Sequence, residues 1–449
     1  MGNQIHTPVT IHRANCYLAI TLILAMKRSL LLLFVLFTIT CTAQKKAEKF
    51  SDEYSYAQQL LKDKNYFNAE NYISENDKHF TKLERLVLQA NIDNIFNRAA
   101  QSNEKIVRAL DKFPDQMGDS LKLSLRRLKH ANHARLFQYT EANAVVKDIL
   151  ATPTTYLDAA EIADYYNMGN IWTLLSGQPK QEVIVSEATY IKMTRDKAQL
   201  TNLPVKSGEV TIDFIFDTGA NLSTVTETTA TRLGMKILGG SIEVGSITGA
   251  IVNAKMAICP QFTLGSITVK NAVFLVFPDS ALAFSQIEYQ INGIIGFPVI
   301  EAMKEIQVTQ EDEFIVPKNR THKSGQDMAL DFLTPVIKVN DEYYSFDTGA
   351  VSTSLYTKYY AKHKAEVVSD YQETDLDFGG AGGMTTKKGY NISMPIIINK
   401  KQLTLEGVQL FTEKTDSEES HFYGNIGQDL IKQFQKMTIN FSSMFVKFD

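Results

Sequence analysis

The chain has 449 residues, too many for one ordinary core, so two or three domains are expected. Hydrophobic residues make up 44% and charged residues 21%, the balance of a globular protein. The formal net charge of −4 gives no electrostatic ground for a nucleic-acid partner or a polyanionic substrate.

The first segment, residues 1–43, reads as an upstream extension followed by an export signal. Met26-Lys27-Arg28 is a short basic stretch, Leu30 to Ile39 is apolar, and Cys41-Thr42-Ala43 offers small residues with cleavage expected before Gln44. An exported protein, periplasmic or secreted, is the expectation. Two other readings stand beside it: an uncleaved anchor, because Tyr17–Leu24 is also apolar, and a lipoprotein modified at Cys41. The cysteines are Cys16, Cys41 and Cys259. Removing the signal leaves Cys259 alone, which excludes an intramolecular disulfide and fits a small buried hydrophobe. The eight histidines are scattered and no CxxC occurs, so no metal-ligand spacing is present and no metal or cofactor is expected.

Residues 44–180 predict a helical domain. Apolar residues recur at helical spacing in Leu83, Leu86, Val87 and Ala90, and again in Ala142, Val145, Val146, Ile149 and Leu150. Two segments run an apolar helix into a proline, at Pro114 and Pro153, a pattern that resembles tetratricopeptide-type helix pairs as well as a plain helical bundle. The lone Trp172 is expected in its core.

Beyond Gln181, β-branched and aromatic runs alternate with Gly, Asn and Asp turns, the pattern of a mostly β region. Two copies of one unit are expected, 181–316 and 328–449, joined by a polar linker over 317–327. Phe216-Asp217-Thr218-Gly219-Ala220 recurs as Phe346-Asp347-Thr348-Gly349-Ala350, each after a strand-like stretch. Each copy then has a glycine-bearing hairpin candidate. These are Gly245-Ser246-Ile247-Thr248-Gly249 and Gly379-Gly380-Ala381-Gly382-Gly383. Next comes Gly293-Ile294-Ile295-Gly296 in the first copy and Gly424-Asn425-Ile426-Gly427 in the second. Strand-like tails close both, Ile306-Gln307-Val308 and Met437-Thr438-Ile439-Asn440-Phe441.

This repeated set suits paired-carboxylate chemistry. The glycine after each Asp-Thr permits a tight turn and a close backbone approach. The threonine hydroxyl can bond across to the opposing lobe. A later glycine can pass beneath the turn because it has no side chain. If the turns meet, two carboxylates share one proton and titrate as a pair. The ionised member can then deprotonate water while the protonated one polarises a carbonyl.

The duplicated Phe-Asp-Thr-Gly-Ala, the glycine-rich hairpins and Ile-Ile-Gly resemble the aspartic peptidases, most closely the retropepsin-like branch, over about residues 183–449. The resemblance implies a bilobal closed-barrel acid-protease fold after the helical domain. It implies Asp217 and Asp347 as the catalytic pair, supported by Thr218, Gly219, Thr348 and Gly349, with the two hairpins closing over the substrate. An exported aspartic endopeptidase follows, active as a monomer on peptide or protein, with the helical domain recruiting a protein partner or covering the cleft. The alternative is a peptide-binding module with protease-like lobes that no longer cuts. Two departures from the family pattern stand out: the first hairpin lacks a Tyr or Trp, and Phe297-Pro298 stands where the second copy has Gln428-Asp429. Asp429 is expected to be a structural acceptor and not a third acid.

Overall fold

Seven α-helices lie among the described residues up to Leu175: Asp52–Lys62, Tyr66–Glu75, Lys82–Ile95, Ala99–Lys112, Asp119–Arg135, Tyr139–Leu150 and Ala159–Leu175. The computed structural model describes residues 50–152, 154–245, 251–284, 288–322, 325–380, 383–398, 401–414 and 421–449. The leader with Cys41, Pro153, and the hairpin tips Ser246, Ile247, Thr248, Gly249, Ala381 and Gly382 fall outside the described residues.

Successive helices pack on one another, and three of their turns are built alike. Lys64, Asn97 and Phe137 each take a left-handed conformation, with φ of 54°, 58° and 54°. The next amide then reaches back to satisfy an orphan carbonyl of the helix just ended: Asn65 to Leu60, Arg98 to Asp93, Gln138 to His133. Strong caps start two of the helices. Thr81 with Glu84, and Asp158 with Glu161, form reciprocal capping boxes.

From Glu182 onward the chain is mostly strand, in two lobes of one topology. In the first, Thr201–Ser207, Val210–Phe216, Gly293–Ile295, Ser223–Thr226, Ile267–Phe277, Ile251–Leu264 and Lys236–Gly245 are neighbours in that order. In the second, the order is Thr334–Val339, Glu342–Phe346, Gly424–Ile426, Ser354–Leu355, Lys401–Phe411, Gly383–Ile398 and Thr374–Gly380. The directions match as well. The short glycine-led strand runs parallel to the strand before the Asp-Thr-Gly turn in both lobes. Pairing in the first lobe closes a six-strand ring through Lys206 and Thr263. Among the described residues no ladder closes the corresponding path in the second lobe; Asn340, just after Thr334–Val339, bonds instead to Pro395 and Ile397 of Gly383–Ile398.

The strand-like tails of the two copies join the lobes. Glu305–Thr309 pairs antiparallel with Lys436–Asn440, with Ile306 facing Ile439 and Val308 facing Met437, at the centre of a five-stranded sheet. The linker is anchored to this sheet where Thr321 donates to Glu305 through both its amide and its hydroxyl. Cys259 is fully buried in the first lobe's core, and burial pushes its thiol up to about 11.

The helices share the lobes' core and are docked on both of them. Phe67 stacks on Tyr343, and Tyr66 donates to Asp331, which Lys64 also pairs. Asn97 donates to Glu301 of the first lobe and to the Phe441 carbonyl of the second, each at 2.9 Å. Phe50–Asp449 is one compact unit.

Candidate functional site

The strands Val210–Phe216 and Glu342–Phe346 each run straight into an Asp-Thr-Gly turn, and their buried phenylalanines hold the turns at the seam. The structure brings the two turns together. Thr218 donates its amide to Thr348 Oγ1 at 3.0 Å, and Thr348 returns the same bond to Thr218. Each hydroxyl then donates onward to the opposite lobe, Thr218 to the Phe346 carbonyl and Thr348 to the Phe216 carbonyl. Both threonines are buried, so these four bonds have no water to compete with them.

Gly219 and Gly349 are the space in which the carboxylates sit. A Cβ on Gly219 would stand 2.6 Å from Cγ of Asp347, and one on Gly349 would lie 2.5 Å from both carboxylate oxygens of Asp217. Below the turns, Gly296 and Gly427 pass against backbone. A Cβ there would meet the Ala220 and Ala350 carbonyls at 2.7 and 2.8 Å. These are the close approaches that the glycine spacing predicts.

The two carboxylates are partly exposed and in mutual hydrogen-bonding contact. Burial, with the charge of Asp347 and the bond to it, raises the Asp217 carboxyl well above the usual aspartate range. Two amides, Gly219 at 2.7 Å and Ala220 at 3.0 Å, donate to Asp217 Oδ1 and hold its orientation. Asp347 Oδ1 receives the Gly349 amide at 2.7 Å, and its Oδ2 faces the Asn425 side-chain amide at 3.4 Å. Such a pair, open on one side, can hold one proton between two oxygens and bind a water or a carbonyl oxygen.

The lobes differ around this shared centre. Asp429 accepts from the Thr353 amide and hydroxyl at 2.8 and 2.7 Å, the structural role expected of it. Gln428 bridges the seam, donating to the Thr348 carbonyl at 2.7 Å and accepting from Arg195 of the first lobe at 2.8 Å. The first lobe has Phe297 at that position, packed edge-on against Phe441. The contrast of Gln428 with Phe297 is visible in the sequence, and that of Asn425 with Ile294 lies in the same matched stretch. Arg195 carries no local signal.

Both predicted hairpins form. Lys236–Gly245 pairs with Ile251–Leu264 up to Gly245 and Ile251, and Thr374–Gly380 pairs with Gly383–Ile398 up to Gly380 and Gly383. The Glu373, Asp375 and Asp377 cluster lies on the second hairpin as an exposed face, with Asp375 paired to Lys388. The first hairpin is braced by the last helix. Asn167 donates to the Glu243 carbonyl at 2.7 Å and accepts from its amide at 3.0 Å, while Leu174 lies against Gly240. Asn167→Ala removes both bonds, each worth about 1 kcal/mol net. Amide hydrogen exchange along 236–245 is expected to quicken on the order of 10-fold, with 374–380 unchanged. Equal exchange in both proteins would show that the brace carries no load.

Among known sequences, the family model described as "Aspartyl protease" matches residues 203–299. No curated protein matches the chain. A retropepsin-like aspartic protease from Rickettsia conorii is among the solved structures it resembles, at 19% identity and a TM-score of 0.22, over 30% of this chain and 92% of that one. The segment holding Asp217, its turn and Gly296 therefore carries the sequence pattern of an aspartyl protease.

Proposed function

We propose that the protein is an aspartic endopeptidase in which Asp217 and Asp347 act as one unit. The observation that carries this reading is the reciprocal threonine bonding that holds two carboxylates in contact, each in the gap left by the other lobe's glycine. The ionised member of the pair takes a proton from water as it attacks the peptide carbonyl, and the protonated member donates to the carbonyl oxygen. The resulting diol collapses once the amine is protonated. Thr218, Gly219, Thr348 and Gly349 hold the pair. The hairpins ending at Gly245 and at Gly380 and Gly383 cover an extended peptide and hydrogen-bond to its backbone. With both carboxylates in one chain, a monomer suffices.

The finer organisation belongs to the same proposal. Each lobe acts as a closed barrel, the second shut by the Asn340 bonds to Pro395 and Ile397 in place of a ladder; the helical region is a tetratricopeptide-like array offering a surface to a protein partner, and the mature chain is exported after cleavage before Gln44 or held at a membrane through Cys41. Purified protein incubated with proteome-derived peptides should yield a defined cleavage preference. Tight peptide binding with no cleavage anywhere between about pH 3 and 7 would replace the peptidase with a binding module.

A further inference from the structure

A cavity of about 220 Å³ lies where the helices meet both lobes. Tyr139 and Trp172 come from the helices, Asn221, Leu222 and Pro298 from the first lobe, and Leu333 from the second. The walls are almost wholly apolar. Tyr139 is 5% exposed; the Gln181 amide approaches its oxygen, and its hydroxyl proton has no acceptor. Such a group is a standing cost that a bound acceptor removes. We infer that this cavity is a specificity subsite for a bulky apolar side chain of the peptide substrate, with a peptide carbonyl reaching the Tyr139 hydroxyl. This rests on the peptidase reading.

Three observations point to a side chain of the substrate. Asn221 and Leu222 continue the very turn that carries Asp217, so the cavity flanks the seam a peptide would follow. Walls from both lobes place it at that seam and not on one lobe's outer face. Its volume exceeds the roughly 150 Å³ of a dry apolar cavity that takes up benzene, so an aromatic ring fits. The helices thereby become part of substrate selection.

Trp172 is the chain's single tryptophan, so its emission reports on this wall directly. Titration of the full chain with N-acetyl-phenylalaninamide should give a saturable change that N-acetyl-alaninamide does not. Ala134→Phe fills the cavity from the helix side and should abolish the change. Tyr139→Phe, a milder variant, should weaken it several-fold. In cleavage profiles, Ala134→Phe should erase a preference for bulky apolar residues at one fixed distance from the scissile bond, lowering kcat/KM for those peptides about 10-fold. No saturable change would overturn the cavity as a site. Binding without any effect of Ala134→Phe on cleavage preference would overturn its role as a substrate subsite. Absence of all cleavage in the unaltered protein would fail the peptidase reading and the subsite with it, while the titration still decides whether the cavity binds.

A separate observation concerns the proton. In the second lobe Ser345 faces Asn425 in register, and in the first lobe the same two positions are Ile215 and Ile294. Ser345 donates to Asn425 Oδ1 at 2.7 Å, which turns the amide nitrogen toward Asp347 Oδ2. The opposite orientation would aim an oxygen at that carboxylate. We propose that Asn425, set by Ser345, is a positioning residue that stabilises the singly ionised pair through Asp347 Oδ2, a donor that Ile294 of the first lobe cannot give Asp217. Carbon-13 NMR titration of the aspartate carboxyls reads this without turnover. Asn425→Ile should move the pair's lower macroscopic pKa upward by about one unit, and Ser345→Ala should move it the same way by less. An unmoved or lowered value in both variants would overturn the assignment.

Discussion

Asp217→Asn and Asp347→Asn should each lower peptide cleavage on the order of 10³-fold or more. Neither amide can supply the proton or the charge that the pair needs. The losses should not add, because two groups acting as one unit are lost together. The stability effect runs the other way. The Asp217 carboxyl is raised above its ordinary 3.8 by burial and by Asp347. Between that value and its raised one, the folded state therefore binds more protons than the unfolded chain, and stability falls as pH rises. Asp217→Asn removes this penalty. Its Tm should exceed that of the unaltered protein near neutral pH, with the difference vanishing below the ordinary aspartate pKa. An inactive but more stable variant cannot be explained by misfolding. Unchanged cleavage, or a lower Tm at neutral pH, would contradict the shared-proton account.

Gly349→Ala should be nearly as damaging, although it alters no reactive group. The added methyl would occupy the place of the Asp217 carboxylate. The neighbour cannot give way, because two backbone amides fix Asp217 and the threonine bonds fix the turn. We expect activity to fall on the order of 10²-fold or more, the scale of a roughly 1 Å misplacement at a reacting centre. Cleavage assays with a crystal structure of the variant check this. Full activity with an undisturbed Asp217 would show that the turns separate in solution. Gly208, by contrast, sits in a tight turn with φ of 57° and open space around it, so alanine there tests backbone strain alone.

The duplicated turns were legible because their demands are local. A carboxylate approached by another lobe needs a glycine beside it, and a strand passing beneath the turn needs another at Gly296 and Gly427. The tails at Ile306 and Met437 read as strands from their own composition, and their pairing with each other follows from the duplication. What lay hidden was long-range. Asn97 joining Glu301 to Phe441, and Asn167 bonding to Glu243, are polar surface residues in any local reading. The glycine-rich Gly379–Gly383 is visible in the sequence, but the brace of Asn167 and Leu174 of the last helix against the first hairpin is not. The break in symmetry at Ser345 and Asn425 was present in the letters as Gly-Asn-Ile-Gly against Gly-Ile-Ile-Gly. It acquired meaning only once the register set both residues beside Asp347.

The pH dependence of kcat/KM for one cleaved peptide tests the central claim most directly. Two carboxylates sharing a proton predict a bell, with activity lost at low pH as the second proton binds and lost again as pH rises through the raised pKa of Asp217. A rate that keeps climbing through neutral pH, on a single ionisation, would contradict it.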